Sequence, residues 1–115
     1  YSTSDVRFKE NIELIDSAIE KLQKIHGYKF TWKEDPELIK LHGFKGLDVG
    51  VIAQEVESVL PEVISTRESG YKGVRYEKII PLLIQAIKEQ QDQIDELKKQ
   101  IKPKSTKRTK SAESK

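Results

Sequence analysis

With 115 residues, the chain has room for one small domain. Hydrophobic residues make up 36% and charged residues 35%, which is lean for a self-sufficient core, so part of the apolar surface is expected to be buried between subunits. Zero cysteines exclude disulfides and thiolate metal sites, and no run approaches the ~18 apolar residues of a membrane span.

Two histidines, His26 and His42, are too few for a metal cage and read as loop or element-end residues. No metal, cofactor or membrane partner is expected. The net charge of +2 hides an asymmetry. Over residues 102–115, Lys102, Lys104, Lys107, Arg108, Lys110 and Lys115 stand against Glu113 alone, while the remainder is net acidic. A basic tail can bind nucleic acid by counterion release. No aromatic residue is interleaved there for stacking, so the expectation is a disordered, solvated tail over 103–115 and no nucleic-acid partner. The start of the chain lacks a charged-then-apolar leader pattern and reads as a piece of something longer.

Tyr1-Ser2-Thr3 shows no periodicity. Next comes Ser4-Asp5-Val6-Arg7-Phe8-Lys9-Glu10-Asn11-Ile12, which sets a hydroxyl nucleophile and an amine five residues apart. Ser–Lys pairs perform acyl transfer without histidine or cysteine. The lysine must be neutral to act as a base, which requires desolvation or nearby positive charge, and Arg7 is a source of such charge. This spacing does not join the pair by itself, because the two side chains fall off-face in a helix and on opposite faces of a strand. A bend or a second copy of the chain is required. The bland alternative is that Ser4 caps a turn and Lys9 is a solvated charge.

Ser17-Ala18-Ile19-Glu20 is a capping-box pattern. Ile19, Leu22 and Ile25 follow on one helical face, and Gly27 stops the run, predicting a helix over 17–26. Ile12, Leu14 and Ile15 fit a short extended or turn segment against the core. Tyr28-Lys29-Phe30-Thr31-Trp32 alternates, with three aromatics on one face of a half-buried strand. Such a row is a core feature more often than a ligand platform. Residues 33–46 read as a loop with a helical turn near 36–41. A second strand is predicted over 47–52, then a short helix over 53–60 with Val56, Val59 and Leu60 inward, ended by Pro61. Gln54 and Glu55 sit at this strand-to-helix junction, where they either cap the helix or meet a reacting group. Residues 62–66 and 71–76 read as a β-hairpin.

Ile80, Leu83, Ile87, Gln90, Ile94, Leu97 and Ile101 are spaced 3-4-3-4-3-4. This is a heptad seam with Ile at a and Leu or Gln at d. Pro81 suits a first helical turn and Pro103 is expected to end the helix. Beyond Ile87 the remaining positions are almost all charged or amide, which favours a parallel coiled coil over docking onto the chain's own body. Ile at a with Leu at d is the two-stranded preference, and the buried Gln90 would act as a register device.

Ser-Asp-x-Arg-x-Lys-x-Asn-Ile resembles the opening signature of the peptidase S74 family. These are the C-terminal intramolecular chaperone domains of phage endosialidases, tail fibres and neck appendages, also found in the myelin regulatory factor. Gly50-Val51-Ile52-Ala53-Gln54-Glu55-Val56 with Leu60-Pro61-Glu62-Val63, and Tyr76-Glu77-Lys78-Ile79-Ile80-Pro81-Leu82-Leu83, are similar to the family in the same order, so the resemblance spans roughly residues 4–101. It implies an α+β fold, a small mixed body followed by a helix over about 78–102 that forms a trimeric parallel coiled coil. It further implies a homotrimer that registers an upstream fibrous passenger of the same polypeptide, then releases itself by cleavage at Thr3–Ser4 with Ser4 as nucleophile and Lys9 as base.

On this reading residues 1–3 are the passenger stub. Asp5 and Arg7 hold the loop, and Asn11 or Gln54 supports the site, Gln54 being favoured over Glu55 because it donates without adding charge. Assembly would take place in a host cytoplasm, with the passenger in the virion and the chaperone released or retained non-covalently. The alternative is a non-catalytic trimerisation module of a fibre or of a membrane-bound transcription factor.

Overall fold

In the computed structural model, backbone is described for residues 3–113 and side-chain surroundings for 3–101. Residues 1–2 of the stub and 114–115 of the tail lie outside the described residues.

The chain opens on a 3₁₀ turn, Val6–Phe8, and its first α-helix is α1, Ala18–Leu22. Strand β1, Tyr28–Thr31, pairs antiparallel with β2, Leu47–Gly50, in the register Tyr28↔Gly50 and Thr31↔Leu47. Between them lies α2, Pro36–His42. Its boundaries follow from local chemistry. The Asp35 carboxylate accepts from Glu37 N at 3.0 Å, Pro36 occupies the first turn, and Gly43 closes the helix at φ 78°. Helix α3, Ala53–Glu57, leads to the hairpin of β3, Ile64–Thr66, and β4, Lys72–Val74, with Ile64 opposite Val74. The body is thus a small mixed α/β assembly of short elements, and the long helix α4, Ile80–Glu113, follows it.

The core is small and wholly apolar: Ala18, Val56, Leu60, Val63, Ile79, Leu82 and Ala86 are buried. Val59, Ile15 and Ile25 pack around it. Leu82 and Ala86 come from α4, so the first turns of that helix belong to the body. One close approach in the motif after β2 fixes a glycine. A Cβ at Gly50 would lie 2.8 Å from the Tyr76 hydroxyl and 3.4 Å from the Phe30 ring. That hydroxyl also accepts from Val51 N at 3.3 Å, tying β2 to the approach of α4.

Two local expectations are corrected. Helix α1 does not use a capping box. Ser17 adopts a left-handed conformation (φ 49°) and its side chain caps nothing. The Glu89 carboxylate, arriving from α4, accepts from Ala18 N and Ile19 N at 2.9 Å each. A cap that also ties two elements together replaces the local one, and α1 is correspondingly shorter than 17–26. Second, the backbone of α4 continues past Pro103 to Glu113, where a helix end was expected. Proline removes one N–H from the ladder and crowds the preceding turn, which can kink a helix without ending it.

No helix among the described residues is long and apolar enough to cross a membrane.

Candidate active site

The bend that the Ser4–Lys9 spacing demands is the 3₁₀ turn. Asp5 caps it, accepting from Arg7 N at 2.8 Å, while Phe8 N donates to Asp5 O and Lys9 N to Val6 O at 3.1 Å each. This turn shortens the path between the two ends, and Lys9 Nζ donates to Ser4 Oγ at 2.9 Å. The Ser4 hydroxyl and the Lys9 amine are therefore in hydrogen-bond contact within one chain.

Arg7 does not face the lysine as a free charge. Its Nε and Nη2 both donate to the Asp5 carboxylate, at 3.0 and 2.8 Å. This two-pronged bond, with the Arg7 backbone N–H added, holds the Asp5 carboxyl below the usual carboxylate range, and the same bond raises the Arg7 guanidinium further. The pair's evident role is to hold the turn. Asn11 sits at φ 52°, a conformation asparagine tolerates better than most side chains. It redirects the chain between the dyad and the Ile12–Ile15 segment. Thr3, Ser4 and Lys9 are all exposed.

Gln54 and Glu55 do not reach this turn in the same chain. Glu55 is committed elsewhere. It accepts from the Tyr28 hydroxyl at 2.6 Å, and His26 Nδ1 lies 3.2 Å from its other oxygen. The Tyr28 bond, with a smaller contribution from His26, lowers the Glu55 carboxyl and raises the Tyr28 phenol. Gln54 lines an open groove with Trp32, Phe44, Val49 and Tyr76. The aromatic row of Tyr28, Phe30 and Trp32, expected to be core, is only half-buried and lies outside the apolar core: Trp32 meets Phe30 edge-on and stacks on Phe44 with centroids 5.0 Å apart, and its Nε1 donates to Asp48. His42, the last residue of α2, accepts from Phe44 N at 2.9 Å.

The stripe named from heptad spacing is exposed within one chain. Ile80, Leu83, Ile87, Ile94, Leu97 and Ile101 range from 39% to 64% exposed, and Gln90 is exposed with them. Helix α4 turns a different face, carrying Leu82, Ala86 and Glu89, toward the body.

Residues 4–65 match the Peptidase S74 family, described as chaperone of endosialidase. The chain belongs to this family. The matched stretch runs from Ser4 through the dyad turn to β3, and takes in Gln54 and Glu55. Similar curated proteins are the long tail fibre proteins Gp37 of Salmonella phage S16 (33% identical over 103 residues, 87% of this chain), Escherichia phage AR1 (34% over 101 residues, 77%) and Enterobacteria phage M1 (35% over 102 residues, 85%). The chain spans 14%, 8% and 39% of their respective lengths. The family match ends within β3, so β4 and α4 lie beyond it.

Sequence reasoning missed Glu89, Tyr28 and His26. For Glu89 a signal existed: it follows Leu82 and Ala86 at helical spacing, on the face that meets the body. Nothing local links Tyr28 and His26 to Glu55, because the contact depends on how β1 and α3 pack.

Proposed function

We propose that this S74 domain assembles three copies of its polypeptide in register, chaperones an upstream tail-fibre-like segment, and then severs itself from that segment at Thr3–Ser4. The observation that carries the catalytic part is the 2.9 Å contact between Lys9 Nζ and Ser4 Oγ across the 3₁₀ turn. The assembly part is supported by an imbalance. Among the described residues, seven hydrophobics are buried while eighteen large ones are exposed. The α4 stripe accounts for a third of them. Three strands are favoured over the two that Ile at a and Leu at d would prefer, because the family resemblance implies trimeric fibres and because the body would add its own contacts.

The proposed chemistry requires Lys9 as a base, in a site from which neighbouring copies exclude water. Lys9 then accepts the Ser4 hydroxyl proton. Ser4 Oγ attacks the carbonyl carbon of Thr3, and backbone N–H groups with Gln54 or Asn11 stabilise the oxyanion. The Thr3 C–N bond breaks, and Lys9 returns the proton to the Ser4 nitrogen. The acyl group now rests on Ser4 Oγ as an ester, which water hydrolyses. The reaction is a single turnover, and its dependence on desolvation gates it on correct assembly. Before cleavage, joining three chains at one end raises the effective concentration of their upstream strands. This offsets the loop and association entropy that slows non-local β pairing. After cleavage the fibre is held kinetically. Assembly takes place in the host cytoplasm, and the passenger enters the virion.

The test is a chain carrying its upstream sequence, as wild type and as Lys9→Ala, followed by intact mass and light scattering. The expected result is cleavage between Thr3 and Ser4 in the wild type, and an uncut trimer in the variant. A wild type that trimerises and stays whole reduces the domain to an assembly clamp.

A further inference from the structure

The segment that carries the dyad has no seat in its own protomer. Among the described residues, every hydrogen bond made between Ser4 and Leu14 is internal to the segment. Val6, Phe8, Ile12 and Leu14 are 66% to 80% exposed. The body, meanwhile, has an open apolar groove of about 720 Å³ between the β1–β2–α2 unit and the β3–β4 hairpin. Trp32, Phe44, Val49, Ile52, Tyr71 and Tyr76 form its walls, and all but Trp32 are themselves exposed large hydrophobics.

The charges of the two surfaces are complementary. Lys33 and Arg67 lie on the groove, and Glu10 and Glu13 lie on the segment, and none of the four is in an ion pair among the described residues. Ile12 and Leu14 flank Glu13, so two apolar side chains bracket one carboxylate. Gln54 lines the same groove and makes no hydrogen bond to the dyad of its own chain.

We propose that the groove receives residues 4–14 of a second copy of this chain, bringing the partner subunit's Gln54 beside Ser4 and Lys9. The unpaired stripe of α4 draws copies alongside one another, and in its own protomer the segment stays outside the groove. Docking buries the four exposed side chains, sets Glu10 and Glu13 against Lys33 and Arg67, and removes water from Lys9. The role given to Gln54 rests on the self-cleavage reading, whereas the docking itself is readable without any cleavage.

The chain has no native cysteine, so an engineered pair reports the contact unambiguously. In a Ser4→Ala background, which keeps the full chain whole, Leu14→Cys and Val49→Cys are combined and the protein is oxidised. Covalent multimers on a non-reducing gel are the expected result. A disulfide closed within one chain overturns the second copy as occupant, and free thiols overturn docking. Should that pair impair folding, Glu13→Cys with Arg67→Cys makes the same measurement at exposed charged positions.

A complementation assay reads the catalytic consequence. Val49→Asp chains with an intact dyad are expected to stay uncut alone and to be cut when co-assembled with Ser4→Ala chains, whose grooves are intact. Absence of rescue, or Val49→Asp cut at the wild-type rate, overturns the proposal. A wild type that never cleaves sinks the self-cleavage reading, and the disulfide result then decides the docking.

Discussion

Glu89→Ala is the perturbation that best separates tertiary from local capping. The Glu89 carboxylate accepts from Ala18 N and Ile19 N at 2.9 Å each, and both bonds are partly buried. Ala18 is fully buried, so water reaches these N–H groups poorly once the carboxylate is gone. Loss of an N-cap costs about 0.5–2 kcal/mol, and hydrogen bonds to charged groups contribute about 1.5–3 kcal/mol each. Partial rehydration lowers the sum, leaving an expected loss of about 2–3 kcal/mol. Ser17 caps nothing, so Ser17→Ala is expected to change stability by less than about 0.5 kcal/mol. Glu89→Gln keeps one acceptor oxygen and should fall between. Chemical denaturation at fixed subunit concentration measures all three, since stability in an assembling protein depends on concentration. For a domain of this size each kcal/mol moves the melting temperature by about 4–8 °C. If Glu89→Ala is neutral while Ser17→Ala costs more than about 1 kcal/mol, the capping assignment is wrong and the local box operates after all.

Leu82→Ala, at a fully buried site shared by body and α4, should cost about 2–5 kcal/mol, read by the same denaturation curves. Ile87→Asp with Ile94→Asp replaces residues that are 64% and 45% exposed in one chain. On the proposed trimeric assembly, sedimentation should show its loss with the body's circular dichroism retained, and an unchanged trimer would remove the α4 stripe from assembly. Gly50→Ala forces a contact with the Tyr76 hydroxyl, and the crowding is expected to cost about 1–3 kcal/mol. The pH response follows from Glu55. Its folded carboxyl is lowered from the ordinary 4.5, first by the Tyr28 hydroxyl and then by His26. Its stabilisation is therefore complete above the unfolded carboxylate value and fades as pH falls through the lower folded value. Tyr28→Phe should lower stability at neutral pH, and the gap to wild type should narrow in acid. A gap that stays constant across that range would mean the bond does not couple to the carboxylate.

The Ser4–Lys9 turn shows why part of the candidate site was legible. A hydroxyl and an amine are the side-chain types that acyl transfer without histidine or cysteine would need, and the capping Asp5 lies inside the same short stretch. The hairpin, α3 and α2 were readable for a similar reason, since turn residues, Pro36 and Gly43 act on their immediate neighbours. The exposed apolar stripe of α4 followed from period alone. The role of Ser17 was misread because Ser-x-x-Glu scores well locally, while the first two N–H groups of the helix are capped by a carboxylate 71 and 70 positions along the chain. The stop at Pro103 was misread because proline's penalty is finite and a helix can absorb it.

The sequence by itself determined which residue types were present at chemically meaningful spacing: the Ser4–Lys9 pair, the alternation of β1 and the heptad stripe of α4. Local sterics and side-chain period suffice for these, since each involves neighbours along the chain. Packing between elements set that Glu89 caps α1, that Glu55 answers to Tyr28 and His26, and that the α4 stripe and the Ser4–Leu14 segment are left uncovered by their own body. Each of these depends on distances between elements, and those are set by packing around the few buried residues, which pattern along the chain does not encode one contact at a time.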